Sequence, residues 1–216
     1  MTVQEIYERY RILPSLQLHQ LRVAAVGKLV CENSMLELDT ESVVLAGLFH
    51  DMGNIIKSDL TLFPEFVEPE GIGHWQLVKE DFLAHYGSDE HEATAQIVRE
   101  IGLPEQVCTL IDHIGFSKME WIRDEASHEQ QAAEYGDLRV APHGIVSLTA
   151  RLEESKRRYA SKHSTIPRTE ETYERLATAA HDIERMLFAD SAIAPDDITE
   201  ESAQALFAQF RDQTVA

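Results

Sequence analysis

Apolar residues recur at helical spacing along nearly the whole chain, and no stretch alternates apolar and polar residues with the period of two that a half-buried strand shows. A chain of 216 residues with that pattern is restricted to packed helices. Its stops fall at proline and glycine. Val3 to Ile12 reads as a first helix that ends at Leu13-Pro14, because proline disfavours helical angles at the residue before it. Ser15 is the expected cap of a second helix, with Leu16, Leu18, Leu21, Val23, Val26, Leu29 and Val30 on its apolar faces. A third is expected from Glu41 to Lys57. Ser58 to Gly73, with Pro64, Pro69, Gly71 and Gly73 among acidic residues, reads as a loop of the length that often forms a lid or faces a substrate.

Further helices are expected over Trp75 to Tyr86, from a Ser88 cap to Gly102, from Pro104 to near Gly115, and over part of Glu120 to Glu134. Tyr135 to Arg139 then leads into a long helix reaching Arg158 or Tyr159, with a kink or fresh start at Pro142. Ser161 to Thr169 reads as a polar linker. Two amphipathic helices follow, Glu170 to Leu187 and Thr199 to Phe210, divided by Pro195-Asp196-Asp197. The expected architecture is all-α: a compact multi-helix bundle over 1–160 and a helical extension over 161–216 that packs on or beside it.

Charge narrows the partners. Lys and Arg number 19 against 38 Asp and Glu, a formal net charge of -19. Long duplex nucleic acid and anionic membrane surfaces are repelled by such a chain, whereas a small phosphorylated molecule can still bind where local cations reverse the potential. Cys31 and Cys108 form no CxxC pair and no disulfide framework, which fits a reducing compartment. No apolar run approaches the length of a membrane span, and the N-terminal residues lack a signal-peptide pattern, so a cytoplasmic location is expected.

The chemistry concentrates in Leu45-Ala46-Gly47-Leu48-Phe49-His50-Asp51-Met52-Gly53-Asn54, an apolar run that ends on an adjacent imidazole and carboxylate. A buried His beside a buried Asp is costly unless each finds a partner, and a divalent metal satisfies both. The dipeptide alone also fits a surface position near a helix end. His19, His91, His113 and Asp137 add more groups of the same kind at helical positions. Imidazole and carboxylate without thiolate suit Fe, Zn, Ni or Mn rather than a purely structural zinc site.

The order His, His-Asp, His, His, Asp, carried by LQLHQLRVAAVGKLV, LAGLFHDMGNIIK, GSDEHEATAQIVREIGLPEQVCTLIDHIG and YGDLRVAPHGIVSLTARLEESKRRY, resembles the HD-domain superfamily of metal-dependent phosphohydrolases. The resemblance covers about Leu16 to Arg158. It implies that His19, His50, Asp51 and Asp137 hold one divalent metal, and that His91 and His113 complete a second site bridged by Asp51. Fe, Mn, Zn, Ni, Co and Mg all remain open. Two ions about 3.5 to 4 Å apart would share a water, lower its pKa towards about 7, and present a bridging hydroxide to a phosphorus. Arg22, one helical turn after His19, together with Lys57 and Arg139, is a candidate for holding substrate phosphate, although each also suits a surface ion pair.

Many two-metal relatives carry Lys three residues after the Asp of the pair, and here the residue is Asn54. Asn supplies a hydrogen bond but no fixed charge, which puts direct transfer of the family's signalling-nucleotide activities in doubt. Three functions stay open: hydrolysis of a nucleotide or other small phosphate ester, oxygen activation at a di-iron centre of the kind a minority of the superfamily holds, or a regulatory module with a structural metal. The acidic C-terminal helices are a candidate surface for a homo-oligomer.

Overall fold

The structure, a computed structural model, describes residues 1–160 and 169–215, and it is helical apart from one short hairpin and two isolated bridges. Helix α1 (Val3–Arg9) starts with a capping box in which Thr2 and Glu5 satisfy each other's backbone N–H. Helix α2 (Pro14–Asn33) starts on Pro14 and not on a Ser15 cap: proline at the first turn gives up an N–H that a helix start leaves unpaired. Helix α3 (Thr40–Phe49) is capped by Asp39, whose carboxylate accepts from Ser42 N. It stops at Phe49 and does not run on to Lys57. His50 forms its C-cap, and Asn54–Ile56 makes a single 3-10 turn.

The expected loop from Ser58 to Gly73 holds another 3-10 turn at Pro64–Val67, and α4 (Gly71–Tyr86) begins before Trp75. Trp75 Nε1 donates to Val67 O at 3.1 Å and ties the two together. Helix α5 (Glu90–Ile101) is capped by Asp89, not Ser88, because the Asp89 carboxylate reaches both His91 N and Glu92 N. Helix α6 (Glu105–His113) follows Pro104, and then come α7 (Met119–Glu125) and α8 (His128–Leu138).

Asp137 therefore lies in the last turn of α8, where the sequence suggested the approach to a long helix. Pro142 does more than kink that helix. Val140–Ala141 pairs antiparallel with Gly144–Ile145, Val140 opposite Ile145, around a Pro142-His143 turn. Helix α9 (Leu148–Ala160) starts only beyond this hairpin. Thr169 caps α10 (Glu170–Phe188), a 3-10 turn spans Pro195–Asp197, and Thr199 caps α11 (Glu200–Asp212). Apart from Thr169, the linker expected from Ser161 lies outside the described residues.

Helix α2 is the spine. It packs against α3, α8 and α11, and Leu21, Ala24, Ala25 and Val26 are fully buried in those contacts. Small residues set how closely the helices approach. A Cβ on Gly47 would meet the Ala24 backbone at 2.7 Å, and one on Gly136 would meet Val23 O at 2.9 Å. Helix α10 packs on α7 and α8, and Ala179, Ala180, Ile183 and Phe210 of the last two helices belong to the same buried cluster as α2 and α3. Among the described residues no helix is long and apolar enough to cross a membrane.

Candidate metal centre

Three elements meet at one point. The second turn of α2 presents His19, the C-terminal end of α3 presents His50 and then Asp51, and the last turn of α8 presents Asp137. His19 Nε2 lies 3.6 Å from Asp51 Oδ2 and 3.1 Å from Asp137 Oδ1, and His50 Nε2 lies 3.7 and 3.6 Å from the same two oxygens. A cation about 2.0–2.2 Å from each of four such ligands sets neighbouring ligand atoms about 2.8–3.6 Å apart, whether the arrangement is octahedral or tetrahedral. The ligand atoms of His19, His50 and Asp51 all lie within 4.8 Å of one another, a group that could hold one ion, and Asp137 Oδ1 lies against both imidazoles beside it.

The tautomer of His50 agrees. Its Nδ1 lies 2.9 Å from Gly47 O, an acceptor only, so Nδ1 carries the hydrogen and a neutral ring turns the Nε2 lone pair towards the carboxylates. That Nε2 is buried with no hydrogen-bond partner among the described residues. An orphaned buried lone pair facing two carboxylates and a second imidazole is what a metal ligand requires. Asp51 is oriented in turn by Asn54 Nδ2, which donates to Asp51 Oδ2 at 2.7 Å.

Electrostatics point the same way. Burial works against a charge on His50, yet Asp51 and Asp137 outweigh it and bring the pKa up to about 9. Burial likewise opposes ionisation of Asp137, but the imidazoles of His19 and His50 beside it hold its carboxyl well below the usual range. The cluster therefore draws positive charge to its centre, as a proton or as a cation.

A family model described as HD domain matches residues 17–141. The chain belongs to the HD-domain family. No curated protein and no solved structure matches it. The HD match runs from the turn before His19 to just beyond Asp137, so His19, His50, Asp51 and Asp137 all fall inside it, while α9, α10 and α11 lie beyond.

The other residues singled out from the sequence lie elsewhere in the HD domain. His91 has a 74% exposed side chain at the start of α5, its Nε2 3.6 Å from Glu90 Oε1, and the same oxygen accepts from Lys57 Nζ at 3.1 Å. His113 donates from Nδ1 to Thr109 O at 2.8 Å and stacks on Trp121, the ring centroids 4.8 Å apart. Neither is gathered with the four. Arg22 grips Glu200 of α11 through Nε and Nη2 at 2.7–3.0 Å, and Glu200 Oε2 also accepts from Ile145 N at 3.2 Å. Arg139, expected beside a phosphate, is 2% exposed and donates instead to Val146 O, Tyr135 Oη, Pro195 O and Ile198 O. A guanidinium engaged by four internal oxygens is a staple between α8, the hairpin and the C-terminal segment.

Two polar residues of the HD site were not visible beforehand. Glu134, one turn before Asp137 on α8, is 0% exposed; its Oε2 accepts from Gly115 N at 2.5 Å and its Oε1 has no partner among the described residues. Burial first, and then the charge of Asp137, push its pKa up to about 8. Gln20, also buried, accepts from Asp51 N at 3.3 Å. The available signal was a polar residue next to, or one turn from, a ligand; it does not separate a buried partner from a surface residue.

Proposed function

We propose that this HD-domain chain is a metal-dependent hydrolase of a phosphate ester, a nucleotide or another small phosphorylated molecule, with one divalent cation held by His19, His50, Asp51 and Asp137. The observation that carries the reading is the gathering of His19, His50 and Asp51 within 4.8 Å of one another around the orphaned Nε2 of His50, with Asp137 against both imidazoles. A cation in that position would lower the pKa of water towards about 7 and offset phosphate charge. The protein's own groups do the rest. Gly47 O fixes the His50 ring, Asn54 and Gln20 hold Asp51 in place, and α2 sets His19 against Asp137. Arg22 and Arg139 are engaged internally, so in this reading substrate charge is met at the cluster, with Asn54 as the neutral donor beside it.

The test combines metal content by elemental analysis with phosphate release from an aryl phosphoester and a panel of nucleotides. One equivalent of metal, lost with activity in Asp137→Asn and kept in His91→Ala, is the expected result. Metal-loaded protein that releases no phosphate from the panel refutes the hydrolase reading. Two irons with oxygen uptake replace it by the oxygenase.

A further inference from the structure

Beyond the metal ligands, the hairpin and the loop after Asp51 bring three aromatic rings together. Phe63, Phe66 and His143 have centroids 4.9 Å (Phe63–Phe66), 5.4 Å (Phe63–His143) and 5.3 Å (Phe66–His143) apart, with the His143 ring edge-on to Phe63 at 88°. We infer that this trio is a clasp for the planar ring of the substrate, a nucleobase or an aryl group, whose phosphate lies at the cluster. The inference rests on the hydrolase reading above and adds to it the residues that recognise the rest of the molecule.

The placement follows from a chain of contacts. Arg22 stands one turn after His19 on α2 and grips Glu200; Glu200 accepts from Ile145 N; and Ile145 lies two residues from His143 at the tip of the hairpin. The 3-10 turn that bears Phe66 packs on α2 as well, as do both strands. The rings therefore stand where the loop and the hairpin converge on the helix that supplies His19.

Three features distinguish the trio from a plain apolar lock. His143 is exposed although two rings pack against it, on a turn anchored through Glu200. Phe63 and Phe66 are half-buried, which leaves apolar surface beside the exposed His143. The same loop carries exposed Glu65, Glu68 and Glu70, which repel phosphate and tolerate a neutral ring. A molecule with an anionic end and a flat end is thus oriented, with its charge at the metal ligands and its plane at the clasp. Stacking of this kind is tolerant of which base it meets, because every base offers a π-face.

The test uses the full metal-loaded chain and compares wild type with Phe63→Leu/Phe66→Leu, which keeps apolar bulk but removes the rings, and with His143→Ala at an exposed tip. Substrates are a nucleoside monophosphate, an aryl phosphate and glycerol phosphate, which has no ring. The expected result is a KM about tenfold higher for the ring-bearing substrates in the variants, about 1.4 kcal/mol, with kcat and metal content unchanged and the KM for glycerol phosphate unmoved. A larger effect with the nucleotide than with the aryl ester assigns the clasp to a base, and the reverse assigns it to an aryl group. An equal change for ring-bearing and ringless substrates, or no change, overturns the clasp. If wild type hydrolyses none of them, the hydrolase reading fails on its own. Calorimetric binding of the nucleoside monophosphate then decides the clasp: about tenfold weaker binding by the variants supports it, and equal binding, or none by wild type, overturns it.

Discussion

Gly47→Ala tests how the ligands are brought together. An added Cβ would lie 2.7 Å from both Cα and N of Ala24 and 3.2 Å from its Cβ. Non-bonded carbons rest about 3.5–4.0 Å apart, so α2 and α3 must part locally by about 1 Å. The atoms in the way are backbone, and no rotamer change relieves them. Overpacking of this kind costs about 1–3 kcal/mol, and more where nothing yields, whereas replacing glycine by alanine inside a helix returns at most about 1 kcal/mol. The clash wins, leaving a net loss of about 1–2 kcal/mol, or about 2–8 °C in Tm for a chain of this size. Function suffers more than stability. Gly47 O holds His50 Nδ1, and His19 sits on the helix that must move, so the two imidazoles separate and metal affinity falls about 10- to 100-fold. Thermal melts and a chelator-competition titration measure the two effects, with Gly73→Ala as the control: a Cβ there meets nothing within 4 Å, so its Tm should hold or rise. A Gly47→Ala protein with wild-type Tm and metal affinity would refute the claim that this close approach positions the ligands.

Three further outcomes follow from the same geometry. Glu134 has a folded pKa of about 8, above its ordinary value of 4.5, so the folded state favours its protonated form and stability falls as pH rises from about 4.5 to 8. Glu134→Gln keeps an acceptor for Gly115 N and should remove that loss, gaining on the order of a few kcal/mol over wild type at pH 8 and little at pH 5 in metal-free urea melts; parallel pH profiles would sink the idea. Metal must displace a proton from His50, whose pKa without metal is about 9, so apparent affinity should climb about tenfold per pH unit between 6 and 8, with proton release seen by calorimetry in buffers of different ionisation enthalpy. A flat affinity over that range would contradict the assigned role of Nε2. Arg139→Lys cannot reach all four oxygens and should cost about 2–4 kcal/mol in denaturant melts; normal stability with a raised KM would restore Arg139 to the substrate.

The helical class was legible because period 3.6 runs through nearly every segment, and His19, His50, Asp51 and Asp137 were singled out by residue types and an order that resemble the HD domain. What escaped depended on neighbours distant in the chain. The hairpin has two residues per strand, too few for alternation to register. Helix α3 was drawn through His50 because its composition stays apolar to Ile56, yet the backbone breaks after Phe49, and Asp51 N finds Gln20 Oε1 in place of a partner in its own turn. Arg22 and Arg139 looked like phosphate ligands from their spacing to His19 and Asp137. Their actual partners, Glu200, Pro195 and Ile198, lie 178, 56 and 59 residues away, a distance at which no local pattern speaks.

Those long connections give the C-terminal helices a part in the site, although the family match ends at residue 141. Arg22 follows His19 by one turn and Arg139 follows Asp137 by two residues, and both reach into the segment from Pro195 to Glu200. Glu200 in turn accepts from Ile145 N, while Tyr135, two residues before Asp137, joins the Arg139 guanidinium and Glu184 of α10. Each connection grips a ligand-bearing helix near its ligand. The ligands come from three different elements, so their convergence depends on whatever fixes those elements relative to one another, and here part of that constraint comes from residues the family pattern does not contain. The groups that hold Arg22 and Arg139 are accordingly as much a part of the candidate centre's geometry as the glycines at the α2 crossings.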